Sequence, residues 1–448
     1  MKWIKPPNLP DTMEKIRRLP TPPKPKFPDQ PPPGPTRPTF WKSPLRGPWL
    51  TSILGSALLP LIIICAITGF LSHAAYNPAL GDNSFFPSGG IGFNPYFFSW
   101  PTNPTWLYAF TQGLHVVCGC LAIPILFAKL WSVMPKLFEW PPLKSVAHLA
   151  ERISLALLVG GALFVFFTGV MNIQVYYPWK FSFVPSHYYA SFIFLAALAL
   201  HVTLKIPTIR KAYRERGVVA PLHDDLEHTV PEPYDEGTTT ALEPAAPTIS
   251  RRGLLLTVGA ASAGIGLMMS GQVIGGPLRK IALLAPRGTQ PGSGPNGFQI
   301  NKTAVTAGID PKQTGADWRL KLVGVTNAEF SRDELLAMPQ HTYDLPIACV
   351  EGWTTTQTWT GVRLKDLAEA AGTPGSSEVL VESIQEFGSF NKATLSSGQI
   401  ADDKSLLALK VNGVDISPDH GYPARVIVPA LPGVHNTKWV RQMTFQEA

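Results

Sequence analysis

Ile347-Ala348-Cys349-Val350-Glu351-Gly352-Trp353 is the stretch on which the reading of this chain turns. Cys349 is the only cysteine beyond Cys120. Trp359-Thr360-Gly361-Val362 begins ten residues later; His420-Gly421-Tyr422-Pro423-Ala424-Arg425 and Asn436-Thr437-Lys438-Trp439 follow. A lone cysteine is often just a small buried hydrophobe. One thiolate with a basic and amide cluster downstream suits a soft metal carried by a phosphate-bearing cofactor instead.

Around that stretch, residues 298–448 read as a mixed α+β domain. Ser331 and Glu334 form a capping box that opens a short helix ending near Met338. Residues 364–371 form a second helix, stopped by Gly372. Residues 379–383, 406–411 and 424–428 read as strands, and Asn412-Gly413 as a hairpin turn.

The N-terminal part is of another kind. Residues 1–48 hold 15 prolines, ten Lys or Arg and three Asp or Glu, and read as an extended, solvated, basic tail. Five apolar stretches follow at 49–72, 106–131, 151–173, 187–206 and 253–275, each long enough to cross a bilayer. The first four make a four-helix domain (49–206); 207–252 is a linker to the fifth. Segment 74–105 has no Lys or Arg and 174–186 has only Lys180, whereas 129–152 carries Lys129, Lys136, Lys144 and Arg152. Segment 205–252 carries seven more. Basic loops stay inside, so the N-terminus is expected in the cytoplasm and residues 276–448 outside. Aromatic residues (Tyr96, Phe97, Phe98, Trp100, Tyr176, Tyr177, Trp179) crowd the outer loops, as at a lipid–water boundary. The net charge of +7 therefore marks membrane topology, and no nucleic-acid partner is expected. Four cysteines, three of them in apolar spans, exclude a disulfide framework. Cys118 and Cys120 point different ways on a helix and make a poor zinc pair. Segment 276–297 is a linker whose 287–297 part reads as a flexible hinge.

The order of motifs from Cys349 to Trp439 resembles the sulfite-oxidase family of molybdopterin enzymes over roughly residues 298–448. The resemblance implies an oxidoreductase with a molybdenum–molybdopterin cofactor. Cys349 is then the single protein thiolate on the metal and the catalytic residue, with an open face left for oxygen-atom transfer. It also implies that Asn301, Thr303, Ser383, His420, Arg425, Asn436, Thr437 and Lys438 hold the pterin phosphate and tail. Trp353 and Trp359 wall the substrate face or belong to the core. True sulfite oxidases place arginines just after the metal cysteine; here Val350-Glu351-Gly352-Trp353 follows, closer to the bacterial periplasmic methionine-sulfoxide reductase branch. A carboxylate at Glu351 facing the site would repel sulfite, whereas one paired with a basic residue elsewhere would not. The family's immunoglobulin-like dimerisation domain has no counterpart here, so a monomeric catalytic head is expected. Ser250-Arg251-Arg252-Gly253 resembles a twin-arginine export signal, placed internally. The implied setting is a bacterial plasma membrane.

His187 and His201 lie fourteen residues apart, on one face of one helix, as in di-haem b-type membrane cytochromes, and His115 is the candidate facing them. Haem b is thus a second expected cofactor, with quinone or a respiratory-chain component as partner. Centring the spans offsets His115 from His187 by roughly 9–12 Å, so no ligand pair follows from sequence; His73 and His187 share the outer edge more closely. Gly113, Gly119, Gly160 and Gly161 are places where helices or a cofactor come close. The substrate is expected to be a small sulfur compound or a sulfoxide. The competing readings are a sulfite dehydrogenase feeding quinone and, from another class, a non-catalytic receptor or assembly protein.

Overall fold

The computed structural model describes residues 27–83, 98–235, 238–287, 290 and 292–447. Residues 1–26 of the tail, and Tyr96 and Phe97, lie outside them. Five long helices come first: α1 (Pro48–Tyr76), α2 (Leu107–Leu137), α3 (Val146–Ile173), α4 (Phe183–Arg216) and α5 (Arg251–Ile274). All five are long and apolar enough to cross a membrane. Their ends have local causes. Pro48 opens α1 at a position where its missing N–H costs nothing. The Ser145 and Ser250 side chains cap α3 and α5 by accepting from the His148 and Gly253 amides. α1 packs on α2, α3 on α4, and α5 lies along α2. α4 runs ten residues past its expected end, as far as Arg216.

The C-terminal domain is α+β. Its elements are β1 (Arg319–Val323), β2 (Ala328–Ser331), α6 (Arg332–Ala337), β3 (His341–Ala348), β4 (Thr354–Arg363), α7 (Leu364–Ala370), β5 (Glu378–Ser383), β6 (Lys392–Ser396), α8 (Ser397–Ala401), β7 (Leu406–Val411), β8 (Val414–Asp415), β9 (Arg425–Ile427) and β10 (Val440–Gln446). One sheet runs β2-β1-β10-β5-β6, with β1 parallel to β10. The other runs β3-β4-β7-β8, with β9 also on β7. The Ser331–Glu334 capping box opens α6 as expected. Asn412 and Gly413 both take positive φ between β7 and β8, the hairpin turn that Asn-Gly implies. A large core spans both sheets (Leu320, Leu364, Val381, Leu407, Val440). A second, smaller core holds Cys349, Trp353 and Trp359.

The head sits on the end of the bundle whose loops carry almost no Lys or Arg. The Trp100 indole donates to the Ala430 carbonyl (2.8 Å), Thr102 to Asp402 (2.5 Å), and His435 Nε2 to the Tyr76 carbonyl (2.8 Å). At the other end, residues 27–48 and the described residues 217–235 and 238–250 lie against the helix ends, with the Trp49 indole donating to the Gly217 carbonyl and the Ala245 N–H to the Lys42 carbonyl. Within the described part of the tail, residues 28–42 are mostly exposed or half-exposed, as expected, whereas Pro44 to Gly47 are buried against the helices. Leu45 and Arg46 are buried, and the Arg46 guanidinium lies over Trp131 at 4.2 Å. Prolines keep this stretch extended, so it can lie across helix ends and satisfy itself through aromatic and cation–π contacts. Arg251, the first of the twin arginines, is fully buried and donates to the Val230 carbonyl (2.7 Å). The 276–297 linker is tied down at Arg279 and Arg287, so the hinge expectation fails at its first residue.

Candidate active site

Cys349 occupies a tight turn between β3 and β4. Its N–H donates to the Trp353 carbonyl (2.9 Å), and the Gly352 N–H donates back to the Cys349 carbonyl (2.9 Å). Gly352 has φ +88°, and a Cβ there would sit 3.0 Å from Val116 of α2, so only glycine fits. The thiol is enclosed (1% exposed). Burial first, then the nearby Glu351 charge, pushes its pKa well up. The Glu351 backbone N–H, Arg287 and Lys438 pull the other way. A metal is what would make this sulfur a thiolate.

Cys349 shares a cleft with Phe298, Gln299, Asn301, Ile347, Trp353, His420, Arg425 and Gly433. Three expected site residues, Asn301, His420 and Arg425, therefore line it with the cysteine. Arg425, on β9, is 3% exposed; its Nη1 donates to the His420 carbonyl (3.2 Å) and its Nε has no partner. Burial lowers its pKa to about 9. His420 Nε2 donates to the carbonyls of Pro295 (2.9 Å) and Phe298 (3.3 Å). Burial, then Arg425 and Lys438, pull its pKa down to about 3, so the ring is neutral. Asn436, Thr437 and Lys438 stand beside β9 but do not line the cleft. Asn436 Oδ1 accepts from the Val428 N–H (2.9 Å), while its Nδ2 is unpartnered. Thr437 donates to the His435 carbonyl (3.4 Å). Lys438 Nζ donates to the carbonyls of Lys302 and Asp419 (2.8 Å each). Burial, then Arg425, drives its pKa well below the usual lysine range.

Two expected residues make other bonds. Thr303 pairs with Thr306 in a surface turn (2.8 Å), and Ser383 donates to the Lys438 carbonyl (2.7 Å), bracing that loop from behind. Glu351 does not present a free charge. Arg287 grips it with two nitrogens (3.1 and 2.9 Å), and the Trp353 indole donates to it (3.0 Å). The argument that this carboxylate repels sulfite therefore fails, because its charge is matched by an arginine 64 positions away in sequence. Trp353 lines the cleft, while Trp359 is core, 5.6 Å from the Arg425 guanidinium.

These donors fit an anionic cofactor by chemistry. Arg425 and Lys438 are buried cations that bond only to carbonyls, and Gln299 Nε2 and Asn436 Nδ2 are buried donors without acceptors. Such groups are costly unless an anion joins them. Among the described residues no three His, Cys, Asp or Glu side chains gather, so a metal at Cys349 must bring its other ligands. The cleft is narrow, about 10 Å³, because the Phe298 ring stacks on His420 at 3.7 Å. Two relevant residues escaped the sequence reading. Gln299 is next but one to Asn301. His435 directly precedes Asn436; its buried ring, lowered by burial to about pKa 4, joins head to bundle.

A second cavity, of about 190 Å³, lies in the bundle below the head. His73, His115 and His187 line it, with Tyr76, Tyr108 and Val350. The His115 and His187 ring centroids are 6.0 Å apart. This corrects the expected 9–12 Å offset: α4 runs from Phe183 to Arg216, so the midpoint of 187–206 is no guide to the level of His187. His115 Nδ1 donates to the Cys65 carbonyl (2.8 Å). The Thr168 hydroxyl donates to the Phe164 carbonyl (2.8 Å) and so accepts from His187 Nδ1 (3.1 Å). His73 stacks on Tyr188 (3.5 Å). His201 does not line the cavity, and Lys129 and Lys205 are its charged neighbours, so it is not brought together with His115 and His187. Of the close-approach glycines, Gly113 meets Val273 and Gly161 meets Phe194, but Gly160 meets nothing. Gly69, not singled out before, leaves room for His115, since a Cβ there would lie 2.8 Å from the ring.

Residues 307–448 match the family model described as the oxidoreductase molybdopterin binding domain. An uncharacterized oxidoreductase, YuiH, of Bacillus subtilis (strain 168) is 30% identical over 131 residues, 29% of this chain and 65% of the relative. A mitochondrial sulfite oxidase of Mus musculus is 27% identical over 158 residues, 29% of each chain. Among solved structures, the sulfane dehydrogenase SoxCD from Paracoccus pantotrophus aligns at 27% identity and a TM-score of 0.27, over 30% of this chain and 39% of that one. The chain thus spans less than two thirds of the length of these relatives. The C-terminal part therefore matches an oxidoreductase molybdopterin binding domain, and a mitochondrial sulfite oxidase is among the proteins it is similar to.

Proposed function

We propose that this protein is a membrane-anchored enzyme performing two-electron oxygen-atom transfer on a small sulfur compound or a sulfoxide, exchanging electrons with the membrane. The carrying observation is the meeting of Cys349, His420 and Arg425 in one enclosed cleft, backed by two buried cations whose hydrogen bonds among the described residues go to carbonyls. When bound, the cofactor supplies a metal that changes oxidation state by two electrons. Cys349 gives that metal one sulfur ligand. Arg425 and Lys438 neutralise the phosphate, Gln299 and Asn436 offer spare N–H donors, and Ile347 and Trp353 keep water out. Thr303 and Ser383 serve the loops behind these residues. Phe298 must swing off His420 for a pterin to enter. Because Arg287 neutralises Glu351, an anionic substrate is admissible, and this favours sulfite oxidation as the second reading.

The helices are proposed to span a bacterial plasma membrane, with the N-terminus in the cytoplasm and the head outside. The head's seat on the Lys- and Arg-poor end supports that orientation, and the twin-arginine motif is its export signal. The cavity is proposed to hold one haem b between His115 and His187. An imidazole nitrogen bonds a metal at about 2 Å and its ring centre lies roughly 1 Å behind, so two rings sharing one ion stand about 6 Å apart. Each ring uses Nδ1 for a hydrogen bond that fixes it, as metal-bound histidines do. Quinone, or a respiratory partner, is the proposed membrane reactant, and the head acts as a monomer.

The test is elemental analysis and a visible spectrum of membrane-purified protein, wild type beside Cys349→Ser. Molybdenum near one per wild-type chain, lost in the variant, supports the reading; metal-free wild-type protein overturns it. Turnover of sulfite but not of methionine sulfoxide, or the reverse, decides between the two substrates.

A further inference from the structure

The turn that carries Cys349 is not held by the head alone. The Val350 carbonyl accepts from Gln112 Nε2 of α2 (3.0 Å) and from Asn172 Nδ2 of α3 (3.2 Å). The Glu351 carbonyl accepts from Gln272 Nε2 of α5 (3.2 Å). Gly352 rests on Val116 of α2 with no space for a Cβ. Three membrane helices thus grip the three residues after the thiol.

The two amides that meet on Val350 are also placed relative to the cavity. Gln112 precedes His115 by three residues on α2, and Asn172 follows Thr168, the partner of His187, by four on α3, so each pair shares a helix face. Val350 lines the same cavity as both histidines. Side-chain amides on apolar helices commonly just satisfy a nearby backbone group. Here two from different helices choose one carbonyl in another domain, that of the residue after Cys349.

We propose that Gln112 and Asn172 are positioning residues for Cys349, so that the membrane bundle sets the direction from which its sulfur meets the metal. The proposal rests on Cys349 being the metal ligand. A carbonyl held by two donors from separate helices fixes the 350–351 peptide plane, and the turn's own hydrogen bonds, Cys349 N–H to Trp353 and Gly352 N–H to Cys349, carry that constraint to the Cys349 backbone. The head supplies the ligand, and the bundle supplies its aim. A change in packing around His115 or His187 would reach the sulfur through one helical turn and one hydrogen bond.

The experiment uses the full, metal-loaded chain in detergent or nanodiscs, with Gln112→Met, Asn172→Leu, the double variant, and Gln174→Met as control. Gln174 also bridges α3 to a loop, but it donates to Leu284, away from the turn. Three quantities are read: molybdenum per chain, the electron paramagnetic resonance g-values of the half-reduced metal, and hydrogen exchange of amides 349–353. The expected result is retained molybdenum, shifted g-values, and exchange faster on the order of tenfold in the double variant, with the control unchanged. If the double variant does not accumulate, the two single variants must each show the shift. Wild-type g-values and exchange in the variants overturn the proposal. A wild-type protein without molybdenum overturns the underlying reading instead, and the first measurement alone reveals it.

Discussion

The bundle and the head are built inside out with respect to each other. In the head, apolar side chains are sealed in two cores at almost no exposure. In the bundle, large apolar residues such as Ile63, Ile67, Phe127, Phe192 and Leu204 face outward, while His115, His187, Thr168 and Tyr108 turn in toward a cavity. The outward apolar surface asks for lipid. The head has its own inversion: Arg425 and Lys438 are buried in its middle, and among the described residues neither forms a salt bridge, Asp419 acting on Lys438 only at longer range. Each region therefore breaks the usual rule of burial where a second component is proposed, hydrocarbon around one and an anionic cofactor within the other.

The sharpest way to break this comparison is at the histidines. His115→Leu and His187→Leu should each abolish a b-type haem spectrum, while His201→Leu leaves it intact; equal loss in all three would restore the di-haem arrangement. The seam comes next. Gly352→Val forces a side chain into a positive-φ position and onto Val116, which should cost about 2–4 kcal/mol in denaturant unfolding of the head. Arg425→Met should act with the opposite sign. Removing an unpaired buried cation should stabilise the cofactor-free protein by about 1–3 kcal/mol while abolishing cofactor retention, checked by melting and by metal analysis together. A variant both less stable and metal-replete would show that Arg425 is structural.

The most gradual effect is pH dependence at the seam. Burial holds His435 near pKa 4, below its unfolded value of 6.5. The unfolded chain therefore binds more protons between these values, and stability falls as pH drops from 6.5 toward 4. The slope should be ~1.4 kcal/mol per pH unit. Thermal melts at stepped pH check it, and His435→Gln should flatten the curve by that amount.

Much of this was legible in the chain itself. The five spans follow from runs of apolar residues whose length a bilayer dictates, and only α4 outruns its expected end by a large margin. The Ser331 and Glu334 cap and the Asn412-Gly413 turn are local chemistry and appear where expected. Cys349, His420 and Arg425 meet because the motifs that carry them are set by turns and strands of fixed reach. The failures share a cause. That Glu351 is neutralised by Arg287, that Pro44 to Gly47 are buried against the helices, and that His115 stands level with His187 are long-range facts, invisible to any local window.

Sequence alone determined the kinds of surface here: which segments must leave water, which turn needs glycine, which cysteine has basic company. Those are properties of single residues and their near neighbours. Tertiary structure decided which groups share a space: two imidazoles across a cavity, and two amides on the carbonyl next to Cys349. Depth, register and pairing between distant helices depend on how whole elements pack, and packing energies are summed over contacts that no single stretch of sequence contains.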